Sequence, residues 1–202
     1  MVSLGRRIER LESRIAPAAV SIPLSSVNGG NGFRIIGAEA REYAGETVSA
    51  AGDVNGDGLD DFFVGTVLQS PTGVETISYV LFGKRIGFPT DLHLSDLDGE
   101  NGFRIVDDDL TAGSQVSITR IGDMNGDGFG DLAIGVVPFV PTDGSNGEIF
   151  VVFGGANFAS EFRLSQLDGT NGFRTIGRDF DAAGSSLGAA GDMSGLLSAA
   201  MF

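Results

Sequence analysis

The sequence predicts an all-β fold made of β-propeller blades, each a four-stranded antiparallel sheet, with about two to three blades in an incomplete ring. Three observations predict it. The chain has 32 glycines among its 202 residues, and they separate short apolar runs. These runs follow a strand-and-turn pattern rather than the 3.6-residue pattern of helices. The whole pattern also repeats along the chain, which is typical of propeller blades.

An internal repeat of about 70 residues sets the domain organisation. The motif Asn-Gly-Phe-Arg begins at Asn31, Asn101 and Asn171. A second motif, Gly-Asp-x-Asn-Gly-Asp-Gly, begins at Gly52 and Gly122. The repeat divides the chain into blade 1 (22–91), blade 2 (92–161) and a truncated third blade (162–202).

Within blade 2 the apolar runs predict four strands, each bounded by residues that favour tight turns. These strands are expected at 103–106, 115–121, 131–137 and 148–153. The continuous apolar run from Phe150 to Phe153 predicts a strand covered on both faces. A β-sandwich is the alternative architecture, although a repeat this regular is unexpected in a sandwich.

The first 20 residues differ in kind from the repeats. Apolar residues from Leu4 to Ile15 fall at helical spacing, arginines outnumber glutamates, and Pro17 ends the pattern. The segment 1–20 is therefore predicted to be a basic amphipathic leader or export-type segment.

Composition excludes several classes of function. Thirteen basic and 27 acidic residues give a net charge of −14, which argues against nucleic acid or an anionic membrane as partner. The absence of cysteine excludes disulfides and thiolate metal sites, and a single histidine, His93, excludes most histidine-based catalysis. No apolar run is long enough to predict a membrane span.

Two nine-residue acidic loops, 53–61 and 123–131, carry the most specific chemistry in the sequence. Side-chain oxygens stand at positions 1, 3, 5 and 9 of both loops, and the carbonyl of position 7 is expected to add one more. Alternating oxygens suit Ca²⁺, which takes six to eight oxygen ligands, and glycines at positions 4 and 6 let the backbone curl. The predicted ligands are Asp53, Asn55, Asp57, Leu59 and Asp61 in one loop, and Asp123, Asn125, Asp127, Phe129 and Asp131 in the other.

The loops are not EF-hands, because Val64 and Ile134 stand where an EF-hand needs a glutamate. A polar turn without metal is the alternative interpretation, since Asn-Gly and Asp-Gly form hairpin turns unaided. A third copy of the loop has Leu196 and Ala200 in place of two aspartates and is not expected to bind. Two Ca²⁺ sites are therefore expected.

Together these motifs resemble the FG-GAP repeat of integrin alpha-chain β-propellers, particularly its bacterial surface and secreted versions. The resemblance covers about residues 28–193 and includes the Phe-Gly endings at Phe82 and Phe153. It implies a four-stranded blade, a Ca²⁺ ion between the first two strands and an extracellular or cell-surface location. It also implies the same ten residues as calcium ligands.

The expected function is that of a non-enzymatic calcium-binding module for surface adhesion or for interaction with a protein or glycan, in which Ca²⁺ is structural. Propellers of the family usually close with seven blades, so further blades or self-association are expected. No nucleophile with a base is found in the sequence. The alternatives are an accessory repeat region of a secreted enzyme and a truncated gene remnant, which the broken third loop favours.

Overall fold

The computed structural model describes residues 23–70, 73–107, 114–137, 146–178 and 181–189. The predicted leader and the predicted third blade beyond residue 189 lie outside these ranges. The described residues form strands and three short 3₁₀ helices, with no α-helix among them. The all-β prediction is confirmed. Within the same ranges no helix is both long and apolar enough to cross a membrane.

The strands fall into three sheets. They are β1 (Arg34–Ile36), β2 (Glu42–Gly52), β3 (Asp61–Ser70), β4 (Gly73–Leu81), β5 (Asp91–His93), β6 (Gly102–Val106), β7 (Gln115–Gly122), β8 (Asp131–Val137), β9 (Glu148–Val152), β10 (Glu161–Arg163) and β11 (Gly172–Ile176). The four strands predicted in the second repeat are confirmed, within one residue at each end, as β6, β7, β8 and β9.

Two of the sheets have the predicted blade topology. The antiparallel ladder β2-β3-β4-β6 forms one sheet, and β7-β8-β9-β11 forms the next. Each sheet takes its fourth strand from the beginning of the following sequence repeat. The bounds 22–91 and 92–161 therefore describe the sequence repeats and not the sheets, because each sheet takes its strands from two successive repeats.

Two short parallel pairings were not predicted from the sequence. Strand β10 joins the first sheet beside β6, with Glu161 opposite Arg104. Strand β1 pairs with β5 in the same way, with Arg34 opposite Asp91. Each added strand has only three residues, which is too short for a periodic pattern to reveal it.

Alternate side chains of the central strands pack against different neighbours. In β8, Leu132 and Ile134 join Phe63 of the first sheet in the core between the two sheets, whereas Ala133 packs on the opposite face with Val151. All five residues are buried. Both faces of these strands are therefore covered, as the continuous apolar runs predict.

The asparagine of the Asn-Gly-Phe-Arg motif fixes the turn that precedes strands β1, β6 and β11. The side-chain amide of Asn101 donates to the Asp96 carbonyl at 2.9 Å, and its oxygen accepts from the Asp98 amide at 3.1 Å. These bonds hold a short 3₁₀ helix against the strand that follows it. Asn31 and Asn171 make the corresponding pairs of bonds in their own repeats.

The phenylalanine of this motif occupies equivalent core positions in successive repeats. Phe103 stacks on Phe158 with ring centroids 4.3 Å apart, and Phe33 stacks on Phe88 at 4.4 Å. The first pair lies in the core between the two sheets, and the second pair lies on the other face of the first sheet. The sequence repeat is thus also a repeat of packing.

Replacement of Phe103 by alanine should lower the free energy of unfolding by about 3–5 kcal/mol, because the ring is fully buried and its loss leaves a cavity. Phe173→Ala is the matched control at the same motif position, where the side chain is 37% exposed. That control should cost about 1 kcal/mol or less. Urea unfolding followed by far-UV circular dichroism measures both, and equal losses would contradict this packing.

Candidate functional site

The two acidic loops lie at corresponding positions of neighbouring sheets. Acidic loop 1 (residues 53–61) connects β2 to β3, and acidic loop 2 (residues 123–131) connects β7 to β8. Each loop therefore sits between the first two strands of its sheet. This is the position in which the sequence analysis expects a metal-binding loop.

The polar side chains of acidic loop 1 accept hydrogen bonds from the loop's own backbone. Asp53 accepts from the amides of Asp57 at 3.0 Å and Gly58 at 2.9 Å through its two carboxylate oxygens. The Asn55 side-chain oxygen also accepts from the Asp57 amide, at 3.0 Å. Asp57 Oδ1 accepts from the Leu59 amide at 2.8 Å. The predicted ligands are thus held within one tight curl of the chain.

Acidic loop 2 has the same hydrogen-bond pattern. Asp123 accepts from the amides of Asp127 at 3.0 Å and Gly128 at 2.9 Å. Asn125 Oδ1 accepts from the Asp127 amide at 3.1 Å, and Asp127 Oδ1 accepts from the Phe129 amide at 2.9 Å. The two loops therefore adopt one conformation twice, at the same phase of the repeat.

Glycine makes this curl possible at two positions of each loop. Gly56 and Gly58 have φ values of 74° and 82°, and Gly126 and Gly128 have values of 78° and 93°. Side chains with a Cβ rarely adopt this left-handed region. The Gly-Asp-Gly spacing of the motif is thus a backbone requirement of the loop.

The aspartate at position 9 is buried in both loops and ties three chain segments together. Asp61 Oδ2 accepts from the Val54 amide at 2.8 Å, and Oδ1 accepts from the Gly83 amide at 2.9 Å. Asp131 makes the same contacts with Met124 at 2.6 Å and Gly154 at 2.9 Å. Each aspartate therefore joins the start of its loop to the chain that follows the third strand.

Burial changes the electrostatics of these aspartates. Loss of solvent raises the pKa of Asp61 to about 6, although its hydrogen bonds from backbone amides, those of Gly83 and Val54 above all, act in the opposite direction. The Asp57 charge raises the same pKa further. Burial also raises the pKa of Asp131. In both loops the ionised form of this carboxylate is therefore poorly solvated.

The donor set of each loop is chemically suited to a hard cation, because every side-chain donor in it is oxygen. In the described part of the chain, however, no three acidic or histidine side chains are arranged as a ready metal site. In both loops the carboxylate oxygens accept hydrogen bonds from backbone amides. The ten predicted ligands remain a prediction.

The two position-7 residues differ in their surroundings. The Phe129 ring lies against Gly56 of acidic loop 1, since a Cβ on that glycine would be 2.5 Å from the ring. Leu59 lies against Gly83 of its own sheet. The apolar side chains of position 7 therefore pack against neighbouring backbone.

The structure also reveals contacts that the sequence did not indicate. A guanidinium nitrogen of Arg85 donates to the Asp57 carbonyl of acidic loop 1 at 3.2 Å. At the equivalent place beside acidic loop 2 the chain has Ala156. The recurring Phe-Gly ending was visible in the sequence, but its role as the amide donor to the position-9 aspartate was not.

Stacked four-stranded sheets with an acidic loop between their first two strands define a repeat protein of the propeller-blade class. The chain is 32% identical to integrin alpha-PS2 of Drosophila melanogaster over 153 residues, which cover 69% of the chain and 10% of that protein. It is 34% identical to integrin alpha-8 of Gallus gallus over 127 residues, which cover 60% of the chain and 11% of that protein. The repeats of this chain are integrin alpha-like FG-GAP repeats.

A third relative, integrin alpha-PS5 of Drosophila melanogaster, is 31% identical over 134 residues and covers 65% of the chain. The chain spans about a tenth of the length of the curated relatives it matches. No family model matches the chain.

Replacement of Asp61 by alanine should destabilise the chain even without any cation. The change leaves two buried amides unpaired at about 1–3 kcal/mol each, and it relieves the cost of one desolvated charge. The expected net loss is about 1–3 kcal/mol, measured by urea unfolding in EDTA. The adjacent Asp60→Ala is the matched control, because that residue is exposed, and should stay within about 0.5 kcal/mol. A wild-type stability for Asp61→Ala would contradict the anchoring role.

Proposed function

We propose that this chain is a non-enzymatic, calcium-binding repeat module that serves adhesion to a protein or glycan at the cell surface or outside the cell. The observation that carries the proposal is the duplicated acidic loop, with one hydrogen-bond pattern at one phase of two adjacent sheets. The similarity to integrin alpha chains supports an adhesion-type module. Calcium binding, a protein or glycan as the adhesion ligand, and a cell-surface or extracellular location are our proposals.

Calcium is the proposed cation because of the chemistry of each loop. In each predicted ligand set three carboxylates and one amide stand within nine residues, and a nearby cation offsets both their mutual repulsion and the burial of Asp61 or Asp131. In acidic loop 1 the ligands would be Asp53, Asn55, Asp57, the Leu59 carbonyl and Asp61. In acidic loop 2 they would be Asp123, Asn125, Asp127, the Phe129 carbonyl and Asp131.

The proposed role of calcium is structural. For extracellular modules the dissociation constant is about 10⁻⁴–10⁻³ M, so a filled loop at about 1–2 mM Ca²⁺ adds roughly 0.4–1.8 kcal/mol to stability. A gain of this size matters in a stack of sheets that depends on its neighbours. A chelator would remove it.

Further blades or a second copy are the proposed structural partners. Tyr43 and Val48 on strand β2 are 55% and 60% exposed, so the edge strand of the first sheet presents apolar surface to solvent. Repeats of this kind bury such surface by stacking on neighbours. The partner that is bound for adhesion is proposed only as a class, a protein or a glycan.

Calorimetric titration of the EDTA-stripped chain with Ca²⁺ tests the proposal, and two sites per chain are expected. Asp57→Ala and Asp127→Ala should each remove one site, because each deletes a carboxylate from the centre of one ligand set. Asp60→Asn is the control, since it removes an exposed acidic charge from the same loop without touching the ligand set. It should keep both sites.

Absence of calcium binding by the wild-type chain would contradict the calcium proposal. Wild-type titration curves for both alanine variants would instead show that the ligand assignment is wrong.

Arg85 should make acidic loop 1 the weaker of the two sites. Its positive charge contacts the Asp57 carbonyl, whereas Ala156 stands beside acidic loop 2. Arg85→Ala should therefore tighten calcium binding to acidic loop 1 by about two- to fivefold, the effect of about 0.5–1 kcal/mol of screened repulsion. The measurement is made in the Asp127→Ala background, where only acidic loop 1 binds.

The converse substitution, Ala156→Arg in the Asp57→Ala background, should weaken acidic loop 2. An unchanged affinity in both experiments would show that the guanidinium does not influence the bound ion.

A further inference from the structure

We propose that acidic loops 1 and 2 form one coupled unit, in which a cation bound in either loop raises the affinity of the other. This inference rests on the proposed calcium function and concerns its regulation. Direct contact between the two loops at the interface of the two sheets carries it.

Two backbone hydrogen bonds join acidic loop 1 to acidic loop 2 and to the segment that follows β9. The Gly130 amide, at position 8 of acidic loop 2, donates to the Asp53 carbonyl at 2.7 Å. The Gly155 amide donates to the Val54 carbonyl at 2.9 Å. Asp53 and Val54 are the first two residues of acidic loop 1. The beginning of one loop is therefore the docking surface of the other.

These bonds continue into a chain that links the two buried aspartates. Asp61 accepts from the Val54 amide at 2.8 Å, and the carbonyl of the same residue accepts from Gly155. The preceding residue, Gly154, donates its amide to Asp131 at 2.9 Å. The Asp61 and Asp131 carboxylates are thus linked through the backbone of Val54 and of the adjacent residues Gly154 and Gly155.

Close packing leaves little room for the loops to move independently. A Cβ on Gly56 would lie 2.5 Å from the Phe129 ring, and a Cβ on Gly130 would lie 2.9 Å from the Asp53 carbonyl oxygen. Val54 is fully buried in the core between the sheets. A shift in one loop is therefore transmitted to the other, because a packed interface does not deform continuously.

The expected sign of the coupling follows from ordering. A cation in acidic loop 1 fixes Asp53 and the carbonyls on which acidic loop 2 docks, so the second cation meets a loop that is already ordered. Repulsion between the two cations opposes this effect. Salt at 0.15 M screens exposed charges over about 8 Å, which weakens this repulsion. We therefore expect ordering to exceed the screened repulsion at physiological salt.

The test is calorimetric titration of the full chain with Ca²⁺ at 0.15 M NaCl, in the wild type and in the Asp57→Ala and Asp127→Ala variants. The coupling factor is the product of the two wild-type binding constants divided by the product of the constants of the two variants. A factor of about five or more is expected. A factor of one or less overturns the coupling and leaves the calcium proposal intact, whereas no wild-type binding overturns the calcium proposal itself.

Gly130→Ala tests the contact that transmits the coupling. Acidic loop 1 carries Asp60 at the same position, so the loop itself accommodates a Cβ there, and the clash with the Asp53 carbonyl is the specific change. Combined with each aspartate variant, Gly130→Ala should bring the coupling factor close to one while both loops still bind. A factor that stays at the wild-type value would overturn the proposed route.

Gly155→Ala is the matched control. No atom lies within 4 Å of a Cβ at this position, and the substitution retains the amide that donates to Val54. The coupling factor should therefore equal that of the wild type. Far-UV circular dichroism of each calcium-free variant checks its fold, and the wild-type factor alone decides the proposal if Gly130→Ala does not fold.

Discussion

The loops and the sheet ends depend on one interaction, in which a buried aspartate accepts hydrogen bonds from two backbone amides. Asp61 and Asp131 each bond one amide at the start of their loop and one amide beyond the third strand of their sheet. Burial raises the pKa of both carboxyl groups, so each ionised aspartate carries a desolvation cost. That cost is tolerated because the alternative is two unpaired buried amides at the end of a sheet.

The sheet interface imposes a second constraint, which explains why the two loops are not identical. Acidic loop 2 docks on acidic loop 1 through Gly130, where a side chain would strike the Asp53 carbonyl. Acidic loop 1 has the exposed Asp60 at that position. Phe129, which packs on Gly56, corresponds to the smaller Leu59. Among the described residues, only acidic loop 2 docks on a neighbouring acidic loop in this way. That contact explains why it has Gly130 and Phe129 where acidic loop 1 has Asp60 and Leu59.

The sequence was sufficient to predict the elements that have a strong local signal. The all-β class, the four strands of the second repeat and the position of the acidic loops between strands all follow from turn residues and alternating or continuous apolar runs. The three-residue strands β5 and β10 could not be predicted, because their parallel pairing depends on neighbours distant in sequence. Contacts of Arg85, Gly83 and Gly130 were missed for the same reason, since tertiary packing alone brings them to the loops.

Under the proposed calcium function, contact between the loops would make cation binding a property of the stack rather than of a single blade. In repeat proteins each unit gains stability from its neighbours, and here the neighbour's acidic loop is part of the interface. In the proposed coupling, a cation that orders one loop would lower the cost of ordering the next, whichever loop is filled first. Because extracellular calcium lies close to the dissociation constants of such modules, positively coupled sites fill over a narrower range of concentration than independent ones. With the proposed coupling, the stability of the stack would rise steeply with calcium concentration.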